Sequence, residues 1–124
     1  IERFQQATNR LRYCRIPTIA AVNGLALGGG CEILMHCDRT VAAMESYIGL
    51  VEVGVGIIPA GGGCKELAQR AHRQSADGDP WPLLKKWFEN VAMATTSGSA
   101  EQARELGYVQ TCDPIIMHAD ELLY

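Results

Sequence analysis

Two acidic side chains stand out by where they occur. Glu32 is the only charged residue between Arg15 and Asp38, and Cys31 alone separates it from the triple glycine Gly28-Gly29-Gly30. Glu52 heads a second uncharged run within GLVEVGVGIIP, residues 49–59. A carboxylate in apolar surroundings either finds a partner or has its pKa raised by desolvation. Taken singly, each has a plain structural account. Glu32 suits the positive end of a helix dipole, and Glu52 suits an exposed loop. Together, in the least charged third of the chain, they offer what proton transfer needs: one group that holds a proton and one that accepts it.

The glycine runs supply the third candidate. Gly28-Gly29-Gly30 can bring bare backbone N–H groups to a helix start, where a developing oxyanion is stabilised. It can equally be a tight strand-to-helix turn in a crowded core. Neither run is a phosphate loop. Ile33 stands where G-x-G-x-x-G needs its third glycine, and Cys64-Lys65-Glu66 lacks the G-K-[ST] ending. No G-x-S-x-G occurs, and His36, His72 and His118 have no evident serine or cysteine partner.

Elements that position these residues follow from periodicity. Ile1, Phe4, Ala7 or Thr8, and Leu11 recur at helical spacing, and Pro17 closes that register. Thr18–Val22 reads as a buried strand ended by Asn23-Gly24, and 31–37 as a short buried helix. Residues 39–43 and Tyr47-Ile48 predict two further strands, and 64–71 a helix after Gly61-Gly62-Gly63. Residues 72–82 are polar and predict a surface loop inserted in the domain. Leu84, Trp87, Phe88 and Val91 mark an amphipathic helix, and Ser99 with Gln102 has capping-box spacing ahead of Gly107. A last helix starts near Asp120. Strand, glycine turn, helix and strand in succession indicate an α/β architecture.

Composition removes several functions. Eleven basic and 14 acidic residues give a net charge of −3, against the basic surplus of a phosphate-neutralising nucleic-acid binder. No apolar stretch is long enough for a transmembrane helix. Five scattered cysteines without C-x-x-C read as buried, reduced thiols and point to the cytoplasm. Cys31, His36 and Cys37 could begin a zinc site, but no second ligand pair exists, so no metal is expected. The basic start followed by residues 16–27 imitates a signal peptide, interrupted by Pro17 and Asn23. A chain running from Ile1 to Tyr124, stopping inside an apolar pattern, reads as a piece of a longer protein.

These residues carry a resemblance. IAAVNGLALGGGCEILMHCD, residues 19–38, is similar to the signature of the crotonase, or enoyl-CoA hydratase/isomerase, superfamily. GLVEVGVGIIPAGGG, residues 49–63, resembles its second block. The tail through KKWFENVAMATTSGSAEQARELGYV looks like the hydratase part of bacterial 3-hydroxyacyl-CoA dehydrogenase/enoyl-CoA hydratase fusions.

The resemblance implies a crotonase-like ββα spiral, incomplete, with residues 1–124 forming the C-terminal half of the domain core. It implies that Glu32 and Glu52 are catalytic, that Gly29 N–H belongs to the oxyanion hole, and that Ala60 and Gly61 bind substrate. The substrate would be an acyl-CoA thioester, with coenzyme A entering only as part of it. No covalent cofactor is implied, and NAD would belong to a fused dehydrogenase domain. A homo-oligomer is expected. Having both glutamates favours hydratase over isomerase; a thioesterase or a non-catalytic acyl-CoA-binding or assembly module are the other readings. Val51, Ala60 and Arg39 depart from the family's common residues. The half of the family's domain that supplies the second oxyanion N–H is not in this sequence, so these residues alone are expected to be inactive.

Overall fold

A computed structural model describes residues 1–76 and 78–123. Asp77, inside the expected 72–82 loop, and Tyr124, at the expected apolar end, lie outside the described residues.

The chain opens with helix α1 (Glu2–Tyr13), then repeats one pattern twice: strand, corner, strand, helix. In the first repeat β1 (Ile19–Val22) turns at Gly24, where φ is +75°, into β2 (Leu25–Leu27) and then helix α2 (Gly29–His36). The second repeat runs through β3 (Arg39–Ala43), β4 (Tyr47–Gly49), a 3-10 turn at Glu52–Val55 and helix α3 (Gly63–Gln74). The repeats stack in parallel, Ile19 beside Arg39 and Leu25 beside Tyr47. Helix α4 (Trp81–Ala92), helix α5 (Ala100–Glu105) and strand β5 (Ile115–Ile116) complete the layers. The strands form two small parallel sheets, β1-β3-β5 and β2-β4, which is one turn of a ββα spiral laid on the next.

The core lies between the strands and α2, α3 and α5. Cys31, Met35, Ile48, Leu50, Ala100 and Tyr108 are all buried there. Its back is fixed by Arg70, whose guanidinium donates to the carbonyls of Gly107 (2.9 Å), Tyr108 (2.8 Å) and Met35 (3.1 Å). Ser99 caps α5 by accepting from Gln102 N (3.1 Å), and Gln102 Oε1 in turn accepts from Gly98 N (2.6 Å). The capping pair thus closes one residue further out than the usual box. Gly107 takes φ +88° against the Trp87 ring, a position where a Cβ would stand 2.5 Å from that ring.

Several expectations need correcting. Residues 25–27, given no element by the sequence reading, form a strand because pairing to β4 outweighs the shortness of the run. Helix α2 begins at Gly29, and α3 continues to Gln74. His72 and Arg73 complement the negative end of α3, and Ser75 Oγ donates to His72 O (2.8 Å). Helix α4 starts at Trp81, since Pro82 in its first turn lacks only an N–H that would be unused there. Helix α3 therefore takes the expected loop 72–82 up to Gln74, and α4 takes it from Trp81. The segment near Asp120 is a 3-10 turn, Ala119–Glu121. Cys31 and Cys37 are buried, but Cys14, Cys64 and Cys112 are exposed, against the expectation of buried thiols throughout. Among the described residues no helix is long and apolar enough to cross a membrane.

Candidate active site

The site forms where the two repeats meet. Gly28 caps α2 with φ +54°, its N–H donating to Gly49 O (2.9 Å), so the end of β4 aims the start of α2. Gly29 is the first residue of that helix, and its N–H has no intrahelical acceptor. One turn on, Glu32 is 2% exposed, and its Oε1 accepts from Gly63 N (2.9 Å) at the head of α3. That bond orients the carboxylate with a charge-assisted contact.

Glu52 reaches the same helix start from the other strand. Its 3-10 turn is closed by Gly56 at φ +82°, whose N–H returns to Glu52 O. Glu52 Oε1 lies 3.3 Å from the point where a Cβ on Gly28 would stand. Its Oε2 is buried and has no hydrogen-bond partner among the described residues. Burial pushes the Glu52 carboxyl above the ordinary carboxylate range; hydrogen bonds from its own turn pull back, and the charge of Glu32 adds to the rise. The structure therefore brings Glu32, Glu52 and Gly29 together at one helix N-terminus, with unlike surroundings for the two acids.

Ala60 and Gly61 sit at the rim, held from behind by α1. Gln5 Nε2 donates to Ala60 O (2.7 Å), and Thr8 Oγ1 donates to Gly61 O (2.7 Å). The Phe4 ring packs against Gly29 and Gly61; a side chain at 61 would collide with that ring and with the Glu32 carboxylate. Phe4, Gln5 and Thr8 escape sequence reasoning as parts of the site. Their helical spacing is visible, but nothing in it shows which loop the helix grips.

Beside Glu52 opens an apolar cavity of about 440 Å³. Val53, Ile58, Leu67, Leu84, Trp87 and Phe88 are among the residues lining it, with Cys64 at the same wall. Cys31, His36 and Cys37 form no metal cluster: among the described residues no group of three or more His, Cys, Asp or Glu side chains is placed to hold an ion.

The enoyl-CoA hydratase/isomerase family model matches residues 1–121. The chain belongs to that family. Over its full 124 residues it is 44% identical to a probable 3-hydroxyacyl-CoA dehydrogenase of Bacillus subtilis, of which it spans 16%. It is 52% identical over 60 residues to a short-chain-enoyl-CoA hydratase of Clostridium acetobutylicum, 48% of this chain and 23% of that protein. The crystal structure of an enoyl-CoA hydratase from Bacillus anthracis superposes with a TM-score of 0.74 at 28% identity, covering 98% of this chain and 41% of that one. The fold is thus crotonase-like, and the chain spans well under half of these relatives.

Proposed function

We propose that this chain carries the acid–base half of an enoyl-CoA hydratase site that adds water across a 2-enoyl-CoA thioester in fatty-acid oxidation. The observation that supports this reading best is the pairing of Glu32 and Glu52 at the start of α2, one fixed by Gly63 N–H and the other with a buried, unpartnered oxygen among the described residues. In the reaction negative charge develops on the thioester oxygen as water adds at the β-carbon. Gly29 N–H, aided by the dipole of α2, stabilises that oxygen. Glu32, anchored as a base, takes the proton of the attacking water. Glu52, whose burial favours the protonated form, delivers a proton to the α-carbon.

Ala60 and Gly61 border the substrate, and the apolar cavity beside Glu52 suits the acyl chain. Coenzyme A enters as part of the substrate, and the reading calls for no metal and no redox cofactor. NAD chemistry would belong to a separate dehydrogenase domain, a reading encouraged by the likeness to the probable 3-hydroxyacyl-CoA dehydrogenase of Bacillus subtilis. The chain acts within a longer cytoplasmic protein that forms homo-oligomers. Exposed Ile19 and Leu25 on strands β1 and β2 leave apolar surface for the remaining domain or another subunit to cover.

Hydration of crotonyl-CoA, followed by loss of enoyl-thioester absorbance in the full-length protein, tests the proposal. Glu32→Gln and Glu52→Gln should each slow it by about 10²–10⁴-fold. The 124 residues alone should show negligible turnover, lacking the second oxyanion donor. Unchanged rates in either variant would overturn the assignment, and vigorous turnover by the isolated chain would overturn the half-site reading.

A further inference from the structure

Behind the paired acids lies a buried ionic cluster that the mechanism above leaves unused. Glu66 of α3 is 0% exposed, yet neither carboxylate oxygen has a hydrogen-bond partner among the described residues. Around it stand Lys65 Nζ at 3.4 Å, His36 Nε2 at 3.7 Å and Arg12 at 3.7 Å. Three helices therefore contribute to one cluster: α1 through Arg12, α2 through His36 and α3 through Lys65 and Glu66. Removing a carboxylate from such a place is costly mainly for the charges left behind.

His36 connects this cluster to Glu32. Its Nδ1 lies 2.6 Å from the Glu32 carbonyl oxygen. A carbonyl only accepts, so Nδ1 carries the proton, while Nε2 faces Glu66 Oε1 at 3.7 Å without a hydrogen bond. The same Nε2 packs on Gly62, where a Cβ would stand 2.7 Å away and where φ is +112°. Gly62 O accepts from Glu66 N (2.9 Å), and the next residue, Gly63, donates to Glu32 Oε1. One imidazole thus touches both the backbone of Glu32 and the turn that holds the Glu32 carboxylate.

We propose that His36 and Glu66 are positioning residues for Glu32, keying the Gly62–Gly63 turn to helix α2 so that the carboxylate meets the water in one orientation. The proposal rests on the hydratase reading of Glu32. Burial lowers the pKa of His36; the bond to Glu32 O and the charges of Glu66 and Glu32 pull the other way, and Lys65 lowers it further. An Nδ1–H donor suffices for the role, and Glu66 faces Arg12 and Lys65 as its counter-charges.

The test is crotonyl-CoA hydration by the full-length protein carrying His36→Ala, His36→Asn, His36→Gln or Glu66→Gln. An asparagine amide nitrogen falls where Nδ1 was, whereas the glutamine amide falls nearer Nε2. His36→Ala should lower kcat by about a hundredfold with KM within about twofold, since misplacing a catalytic group by about 1 Å has effects of that size. His36→Asn should recover to within about fivefold of wild type, and Glu66→Gln should lose about tenfold in kcat. Circular dichroism and sizing establish that each variant is folded. Should His36→Ala fail to fold, the Asn and Gln variants decide: Asn well above Gln supports the proposal, and equal rates overturn it. A normal kcat in His36→Ala or Glu66→Gln, or losses confined to KM, also overturns it. Glu32→Gln in the same series separates the two claims. If it is active, the hydratase reading fails and this proposal with it; if it is inactive while the His36 and Glu66 variants are normal, only the positioning role fails.

Discussion

Gly61→Ala is the substitution that most directly probes how tightly α1 and Glu32 are packed. The added methyl falls on space already filled by the Phe4 ring and by Glu32 Oε2. One of them must move, and overpacking of this kind costs about 1–3 kcal/mol. If Glu32 yields, its bond from Gly63 N is also lost, worth about 1.5–3 kcal/mol for a charged acceptor. The sum is about 2.5–6 kcal/mol on those two contributions. With roughly 2.1 cal/mol/K of unfolding entropy per residue, that lowers the melting temperature of this domain by on the order of 10 °C. The control is Gly30→Ala, in the first turn of α2, where an added Cβ meets nothing within 4 Å. There alanine should stabilise the helix by about 0.5–1 kcal/mol. Differential scanning calorimetry of the two variants gives opposite signs if the geometry is right. A Gly61→Ala protein that melts at or above wild type would refute the packing of Phe4 and Glu32 against this turn.

Three further outcomes are expected. The Glu52 carboxyl should titrate above the ordinary glutamate range in a ¹³C NMR titration, and Glu32→Gln should shift that midpoint downward by removing a like charge. Because the folded pKa is raised, the stability that protonated Glu52 contributes is full below its unfolded pKa and lost as pH rises through the folded one. Ser99→Ala should cost about 1 kcal/mol in denaturant unfolding through loss of the α5 cap. Phe88→Ala, at the wall of the apolar cavity, should raise KM for long-chain enoyl-CoA substrates more than for crotonyl-CoA; equal changes would place the acyl chain elsewhere.

Much of this arrangement is legible in local chemistry. The uncharged runs around Glu32 and Glu52 mark acids drawn away from solvent, and the triple glycine marks the start of α2, because burial and backbone freedom leave signatures in neighbouring residues. The Ser99–Gln102 cap is visible for the same reason. What depends on long-range pairing is not. Leu25–Leu27 is only three residues long and becomes a strand through its partner β4, which the local run cannot reveal. Ile115–Ile116 pairs with Ala42 and Ala43 of β3, far away along the chain. Gln5 looks like an ordinary polar position of an amphipathic helix, and Thr8 like a place on its recurring stripe, until the 60–61 carbonyls arrive beside them. His36 and Glu66 lie on different helices, and each sits in a sequence that otherwise reads as plain helix.

The central claim, that Glu32 and Glu52 work together as base and acid in one hydration step, is tested most directly by a double-mutant cycle on crotonyl-CoA hydration in the full-length protein. If the two groups work as a unit, Glu32→Gln/Glu52→Gln should be little slower than the poorer single variant, as for other residues that share one step. Losses that simply multiply would mean that the two carboxylates act independently, and an undiminished rate in Glu52→Gln would contradict the account outright.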